Sequence, residues 1–464
     1  MTSLPLDVRL QAHNAHWSGV AYLDADPSLR RLRQLPLSHE PDLLQRLPLH
    51  TPGTYTLVGG RQVGKSTLCK QAIARLLAEG VAPTRIVYVT CEPFRDAEEL
   101  RQVLADVLAV IARDGEPSWL FVDEVTYVPD WDRTVKFLAD AGALERCFLL
   151  LTGSDHIVIQ DSLKRLPGRR GRAPQTDFHL RPLSFLEFVR LRKRVARATV
   201  DAIASAPLAE LPATLPAVLQ AIEQELRHYH LTGGFLVAIN DAERDGVVDA
   251  STMRIYADWI RGDVLRLDRS ERFLREILRG IDRRYGSHIT WNSLAKELSI
   301  DHPKTVTDYV GILERMDAAI VVPAVAEHTR GPAPKTARKV FFADPFIHRS
   351  VLAWLGEPDA ELTSDARLQR DLEATFSGHV QRFTEGFYVK GMGEVDCAWY
   401  EGRTLQLLEV KWATQLRPEE MKEIRRRGRG VVACRTEQPR VVDGLVVLPA
   451  AVVLLRLAAR APVG

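Results

Sequence analysis

Cysteine is scarce in this chain and never paired. Its five cysteines, Cys69, Cys91, Cys147, Cys397 and Cys434, are scattered along 464 residues without a C-x-x-C spacing. That pattern argues against a disulfide framework or a zinc knuckle, and the apolar neighbours of most of them lead us to expect buried, reduced thiols. An excess of one charge is also missing, with 62 Lys and Arg against 60 Asp and Glu and a net charge of +2. No overall basicity therefore demands nucleic acid, and any such argument must rest on local patches. Long apolar runs are absent too, since the longest, Leu445 to Leu455, is too short to cross a bilayer. Met1-Thr-Ser-Leu-Pro5 lacks a basic segment followed by an apolar one, so no secretory signal is expected. These absences point to a cytoplasmic protein with no membrane partner.

What remains is an ordinary soluble composition, 46% hydrophobic and 26% charged. The length suits about three or four domains. The most informative stretch is Gly59-Gly60-Arg61-Gln62-Val63-Gly64-Lys65-Ser66, followed by Thr67. It fits G-x-x-x-x-G-K-[ST], in which glycines let successive N–H groups face phosphate oxygens. Lys65 would reach the β- and γ-phosphates, Ser66 would take a Mg²⁺ position, and the following helix would add its positive end. Tyr55–Val58 before the loop reads as a strand and Thr67–Leu77 after it as a helix. ATP and Mg²⁺ are the expected cofactors.

Further strand-like runs, Ile86–Val89, Trp119–Val122 and Phe148–Leu151, alternate with helical patterns at Ala97–Ala112 and Asp130–Ala141. Such alternation predicts a parallel sheet covered by helices. The third strand ends in Asp123-Glu124. Asp123 would hold Mg²⁺ and Glu124 would polarise the attacking water. The next ends in Thr152-Gly153-Ser154. A small polar residue there can sense the γ-phosphate, and we assign this to Ser154, with Thr152 as the alternative. Lys164 to Arg172 holds five basic residues in nine. It reads as a solvated turn, a nucleic-acid contact or an arginine finger, with Arg169 and Arg172 as finger candidates; a finger from a neighbouring subunit would imply a homo-oligomer.

These segments, together with Gly168-Arg-Arg-Gly-Arg172 and Arg181-Pro-Leu-Ser-Phe-Leu-Glu-Phe188, resemble a large archaeal and bacterial family of AAA-class ATPases. That family is related to the origin-recognition-type branch and carries a nuclease-like C-terminal domain. The resemblance runs from about Tyr22 to about Leu455 and rests most specifically on Pro-Leu-Ser-Phe-x-Glu-Phe. It implies a 5-1-4-3-2 strand order and a helical lid, whose turn Gly233-Gly234-Phe235 resembles. Gly60 departs from the family, which usually has proline there, and we expect no loss of binding.

Val189 to about Ala213 reads as a helix and a loose linker, followed by another helix, and Arg190-Leu-Arg-Lys-Arg194 as a solvated helix face. Asp268 to Val325 reads as a winged helix, with helices at Glu271–Arg283, Thr290–Leu298 and Pro303–Met316 and wing strands at Ala319–Val325 and Lys339–Phe342. Val306, Tyr309, Val310 and Leu313 share its third helix's inner face, leaving Lys304, Thr305, Thr307 and Asp308 to face DNA. This modest basic set suits either DNA binding or a structural spacer.

Near the C-terminus, Glu373 lies in a helical pattern, and strands follow at Gly393–Tyr400 and Leu405–Lys411. Glu409 and Lys411 share a strand face, and a hairpin would set Asp396 beside them. Two carboxylates for a divalent metal, a lysine for water and the helical Glu373 make up the chemistry of phosphodiester hydrolysis. The set resembles the PD-(D/E)XK nuclease fold, with Glu373, Asp396 and Glu409 as metal candidates. Lys422–Arg429 would hold a phosphate backbone or form a solvated helix end. The expectation is a multidomain α/β chain: a P-loop ATPase core at 1–188, a helical lid and linker at 189–267, a winged helix at 268–345 and a nuclease-like domain at 346–464. DNA is the expected partner. The alternative is a nucleotide-dependent switch or scaffold with an inert nuclease fold, binding protein partners.

Overall fold

A computed structural model describes residues 10–18, 25–111, 115–155, 158–159, 161, 165, 168–212, 216–334, 336–357, 365–436 and 438–460. Met1–Pro5, Tyr22, Ala112, Lys164 and Ala213 lie outside the described residues. Two compact units divide between Arg181 and Pro182.

The first unit is built on five strands, β1 (Gly53–Val58), β2 (Ile86–Thr90), β3 (Ser118–Asp123), β4 (Cys147–Gly153) and β5 (Asp177–His179). All neighbours are parallel, and the order is β2-β3-β4-β1-β5, the 5-1-4-3-2 order expected. A strand sends successive side chains to opposite faces, so a sheet covered on both sides needs continuous apolar runs. Val87, Val89, Leu120, Val122, Leu149 and Leu151 accordingly enter one core, while Ile86, Tyr88, Trp119, Phe121, Phe148 and Leu150 enter the other. Helices Lys65–Ala78, Ala97–Ile111 and Trp131–Asp140 fill the crossovers. The edge of β2 is closed by residues from the N-terminal segment. The Asn14 amide donates to Tyr88 O at 2.8 Å and accepts from Tyr88 N at 2.7 Å, replacing a neighbouring strand.

The second unit begins with the Pro-Leu-Ser-Phe segment. Ser184 and Glu187 form a capping box for helix Phe185–Arg192. Leu183 N donates to Gly234 O at 2.8 Å, and Tyr229 Oη donates to Leu183 O at 2.9 Å. This segment is therefore fixed to the helices that follow it. Arg192 is not solvated as the sequence suggested. It is buried, 2.8 Å from Glu225 and 2.7 Å from Glu243, because helix Pro216–Thr232 supplies a carboxylate on its inner side.

Helices Glu271–Arg283, Trp291–Glu297 and Pro303–Arg315 follow. Thr290 caps the middle one. An antiparallel pair comes next, β6 (Ala319–Pro323) with β9 (Arg338–Phe342), and a two-residue ribbon of β7 (Val325–Ala326) and β8 (Gly331–Pro332) lies between them in sequence. Val306, Tyr309, Val310 and Leu313 are buried in the core these elements share.

The last sheet contains β10 (Phe387–Lys390), β11 (Glu394–Glu401), β12 (Thr404–Lys411), β13 (Val431–Cys434), β14 (Arg440–Val442) and β15 (Leu445–Pro449), in the order β10-β11-β12-β13-β15-β14. Strands β12, β13 and β15 are parallel, and the other pairs are antiparallel. The apolar run at Leu445–Leu455 is split into strand β15 and helix Ala450–Ala458, with Pro449 at the helix N-cap. All five cysteines are buried and unbridged. Among the described residues, no helix is long and apolar enough to cross a membrane.

Candidate nucleotide and carboxylate sites

The glycine-rich loop joins β1 to helix Lys65–Ala78, which starts at Lys65 itself, earlier than the sequence pattern indicated. Gly64 caps this helix at φ 107°, a left-handed conformation that glycine adopts without penalty. A Cβ on Gly59 would lie 2.2 Å from the carbonyl oxygen of Leu180, so the loop's closeness to the chain after β5 requires glycine there. Lys65 Nζ donates to Gly59 O at 2.9 Å and Gly60 O at 3.1 Å, and lies 3.2 Å from Glu124 Oε1. Ser66 Oγ donates to Asp123 Oδ2 at 2.6 Å.

Asp123 and Glu124 end β3 as expected, and Asp123 is held by hydroxyls on both oxygens. Tyr88 Oη donates to Oδ2 at 2.5 Å, and Thr152 Oγ1 donates to Oδ1. Burial and the Asp123 charge push the Tyr88 phenol far up, so it remains a donor. Glu124 follows in the left-handed region at φ 54°, unusual for a residue with a Cβ. Its Oε2 is buried and has no hydrogen-bond partner among the described residues. Loop amides, a lysine, a serine beside an aspartate and an under-satisfied glutamate make a donor set that fits nucleotide phosphates and a Mg²⁺ ion.

Thr152 rather than Ser154 is the β4 residue placed on the acids. Its hydroxyl also accepts from Glu124 N at 2.9 Å. Ser154 is buried but makes no side-chain hydrogen bond to Asp123 or Glu124 among the described residues. Arg169 forms an ion pair with Asp140 at 2.5 Å, Arg170 with Asp177 at 2.5 Å and Arg165 with Asp132 at 3.2 Å. Arg172 is exposed and makes no ion pair among the described residues.

In the second unit, Cys397 pairs with Leu408 across β11 and β12, which puts Asp396 level with Glu409. Lys411 Nζ is 2.8 Å from Glu409 Oε1 and 3.8 Å from Asp396 Oδ2, and Asp396 Oδ2 also accepts from Val410 N at 2.9 Å. Helix Asp365–Val380 brings Glu373. The four sequence candidates thus converge, and two further residues join them. Glu394 shares a strand face with Asp396, and its Oε2 is 2.7 Å from His288 Nε2. Lys339 of β9 is 1% exposed. Its ammonium contacts Glu373 and Glu394 and lies 3.6 Å from Asp396 Oδ1.

Glu373, Glu394 and Asp396 each present an oxygen within 4.8 Å of the others, a spacing that fits a divalent cation. Burial, followed by the Asp396 charge, pushes Glu373 up to about 8 and Glu409 well above the carboxylate range. Burial alone would pull Lys339 down, but Glu373, Asp396 and Glu394 together hold it above an ordinary lysine. Glu409 Oε2 is buried and has no hydrogen-bond partner among the described residues.

The basic run at Lys422–Arg429 is largely engaged within the unit. Arg426 lies 2.6 Å from Glu423, Arg427 lies 3.0 Å from Glu423 and 2.7 Å from Glu327, and Arg425 contacts Asp443. Lys422 and Arg429 are exposed. On the third helix of the middle module, Lys304 and Thr307 are exposed, Thr305 is half-buried, and Asp308 is 3.6 Å from Arg269.

Residues 51–189 match the family described as "AAA domain", and residues 223–357 match "Domain of unknown function (DUF8612)". An uncharacterized protein of Haemophilus influenzae is 24% identical over 307 residues, 64% of this chain and 69% of that protein. Among solved structures, a Walker-type ATPase of Pyrococcus abyssi is similar at a TM-score of 0.43 and 17% identity, covering 67% of this chain and 93% of that one. The Aeropyrum pernix ORC1 protein in complex with DNA is similar at a TM-score of 0.33 and 13% identity, covering 76% and 94%. Residues 51–189 form a P-loop ATPase domain of the AAA class.

Proposed function

We propose that this protein hydrolyses ATP and acts on DNA through a metal-dependent nuclease-like site in its second unit, in repair, genome maintenance or defence. In the first unit Lys65 would hold the β- and γ-phosphates, and Ser66 and Asp123 would hold Mg²⁺, which when bound would supply charge stabilisation for the transferred phosphoryl group. Glu124 orients the attacking water and takes its proton. Thr152 fixes both acids and is the better placed γ-phosphate sensor, with Ser154 two residues on, just past the end of β4. Arg172 is the better finger candidate, since Arg169 is already paired with Asp140. A finger acting in trans would make the active form a homo-oligomer.

The observation that carries the nuclease reading is that Glu373 and Asp396 lie in a triad spaced for a divalent cation, while Lys411 bridges Asp396 and the buried, under-satisfied Glu409. A divalent metal bound there would supply Lewis-acid activation of a phosphodiester and a nucleophilic hydroxide at neutral pH. Asp396, Glu373 and Glu394 would hold it, Glu409 would stand beside Asp396, and Lys411 would orient the water. The three-helix module with its β6–β9 pair, read as a winged helix, would seat duplex DNA along Lys304, Thr305 and Thr307.

The test is a cleavage assay on single-stranded, duplex, forked and branched DNA with Mg²⁺ or Mn²⁺, with and without ATP. We expect metal-dependent cutting that disappears in Lys411→Ala and changes in Lys65→Ala. Absence of cutting on every substrate, with ATP hydrolysis intact, would favour the second reading, a nucleotide-controlled switch. That reading draws on the engagement of the acids by Lys339 and of the basic run by Glu423, Asp443 and Glu327.

A further inference from the structure

The carboxylate cluster contains a cation that the hydrolytic set does not require. Lys339 extends from β9, where it pairs with Val322 of β6, and its side chain is 1% exposed. Its ammonium sits among Glu373, Glu394 and Asp396, the three acids whose oxygens are spaced for a divalent ion. An ammonium and a metal ion cannot share that position. Both take carboxylate oxygens as partners, and like charges at such a distance repel strongly in a buried site. Lys411 is placed differently. It binds Glu409 and stands 3.8 Å from Asp396, to one side of the triad.

The charge balance points the same way. Among the described residues, Glu373, Glu394, Asp396 and Glu409 pair with Lys339 and Lys411, with His288 beside Glu394. With all four acids ionised, as metal ligation requires, replacing Lys339 by a divalent ion would bring the cluster closer to neutrality.

We propose that Lys339 is a built-in counter-cation that competes with a divalent metal for Glu373, Glu394 and Asp396, so that displacement of the β9 lysine gates metal entry. The β6–β9 pair follows directly on the three helices that would seat DNA. Engagement of that module could therefore withdraw the lysine and arm the site only on substrate. The proposal rests on the reading that this cluster takes a metal, and not on its cutting DNA.

The experiment is a Mn²⁺ titration of the full chain followed by electron paramagnetic resonance, with thermal melting in parallel, on wild type, Lys339→Met, Lys339→Gln and Lys339→Arg. The phosphate loop can also take Mn²⁺, so the site counted is the one lost when Asp396→Asn is added. We expect at least tenfold tighter Mn²⁺ binding in the Met and Gln variants and wild-type affinity in the Arg variant. We also expect the neutral variants to melt lower than wild type without metal and to recover with Mn²⁺. Equal or weaker binding in both neutral variants would overturn the proposal, as would failure of both to fold even with Mn²⁺. Tighter binding without DNA cleavage would sink the nuclease reading alone. Cleavage with unchanged Mn²⁺ affinity would sink the counter-cation alone.

Discussion

Glu124→Gln should leave ATP binding intact and lower hydrolysis by about 10²–10⁴-fold, the usual contribution of a positioned general base. The change is nearly isosteric and preserves the turn that places residue 124 at φ 54°. Glu124 Oε1 faces Lys65 at 3.2 Å, while Oε2 has no hydrogen-bond partner among the described residues. A buried carboxylate oxygen without a donor is costly unless its task is to accept a proton or a water. Glutamine can still hold a water but cannot take its proton. Phosphate release measures turnover, and titration with a fluorescent ATP analogue measures binding. Wild-type turnover in this variant would remove Glu124 from the role. Thr152→Val and Ser154→Ala provide an internal comparison. The hydroxyl of Thr152 ties Asp123 to Glu124 N, so its loss should slow hydrolysis more than loss of the Ser154 hydroxyl.

The nucleotide site was largely legible because its chemistry is local. The loop glycines, Lys65 and Ser66 are contiguous, and Asp123 and Glu124 close an apolar strand whose pattern is unmistakable. Sequence alone favours Ser154 for the γ-phosphate-sensing role with Thr152 as the alternative, whereas it is Thr152 that hydrogen-bonds Asp123. An i, i+2 spacing would put both side chains on one strand face, but β4 ends at Gly153 and leaves Ser154 just beyond it. β5 was not located, because an edge strand of three residues, Asp177–His179, carries too short a pattern to register.

In the second unit, Asp396, Glu409 and Lys411 were readable from strand periodicity and one hairpin, and Glu373 from a helical pattern. Glu394 could have been found by the same i, i+2 rule that paired Glu409 with Lys411. Lys339 could not. It approaches from a strand in another module, and in sequence it looks like one more basic residue in Arg338-Lys339-Val340-Phe341-Phe342. The ion pairs of Lys422–Arg429 were hidden for a related reason. Asp443 and Glu327 are distant in sequence, so a run that reads as an open basic patch is partly neutralised by tertiary contacts.

Gly233→Ala should destabilise the second unit by about 4 kcal/mol or more, beyond the usual range for a single substitution. Gly233 has φ +55°, which costs alanine about 1 kcal/mol. Most of the destabilisation is steric. A Cβ there would lie 1.7 Å from Asp344 Oδ1 and 2.6 Å from its Cγ. Asp344 cannot simply swing away, because its carboxylate accepts from Gly234 N at 2.9 Å and Phe346 N at 2.8 Å and caps helix Pro345–Leu355. Displacing it would leave two buried N–H groups without a partner, at about 1–3 kcal/mol each, and would remove the cap. Denaturant unfolding followed by circular dichroism would measure the loss, with ATP-analogue binding as a readout of the first unit. Asp344→Ala in the same chain separates the causes. If the clash dominates, truncating the carboxylate removes most of what Gly233→Ala costs, and the double variant should be much more stable than the sum of the two single losses predicts. Additive losses would show instead that the penalty lies in the backbone conformation at Gly233 alone.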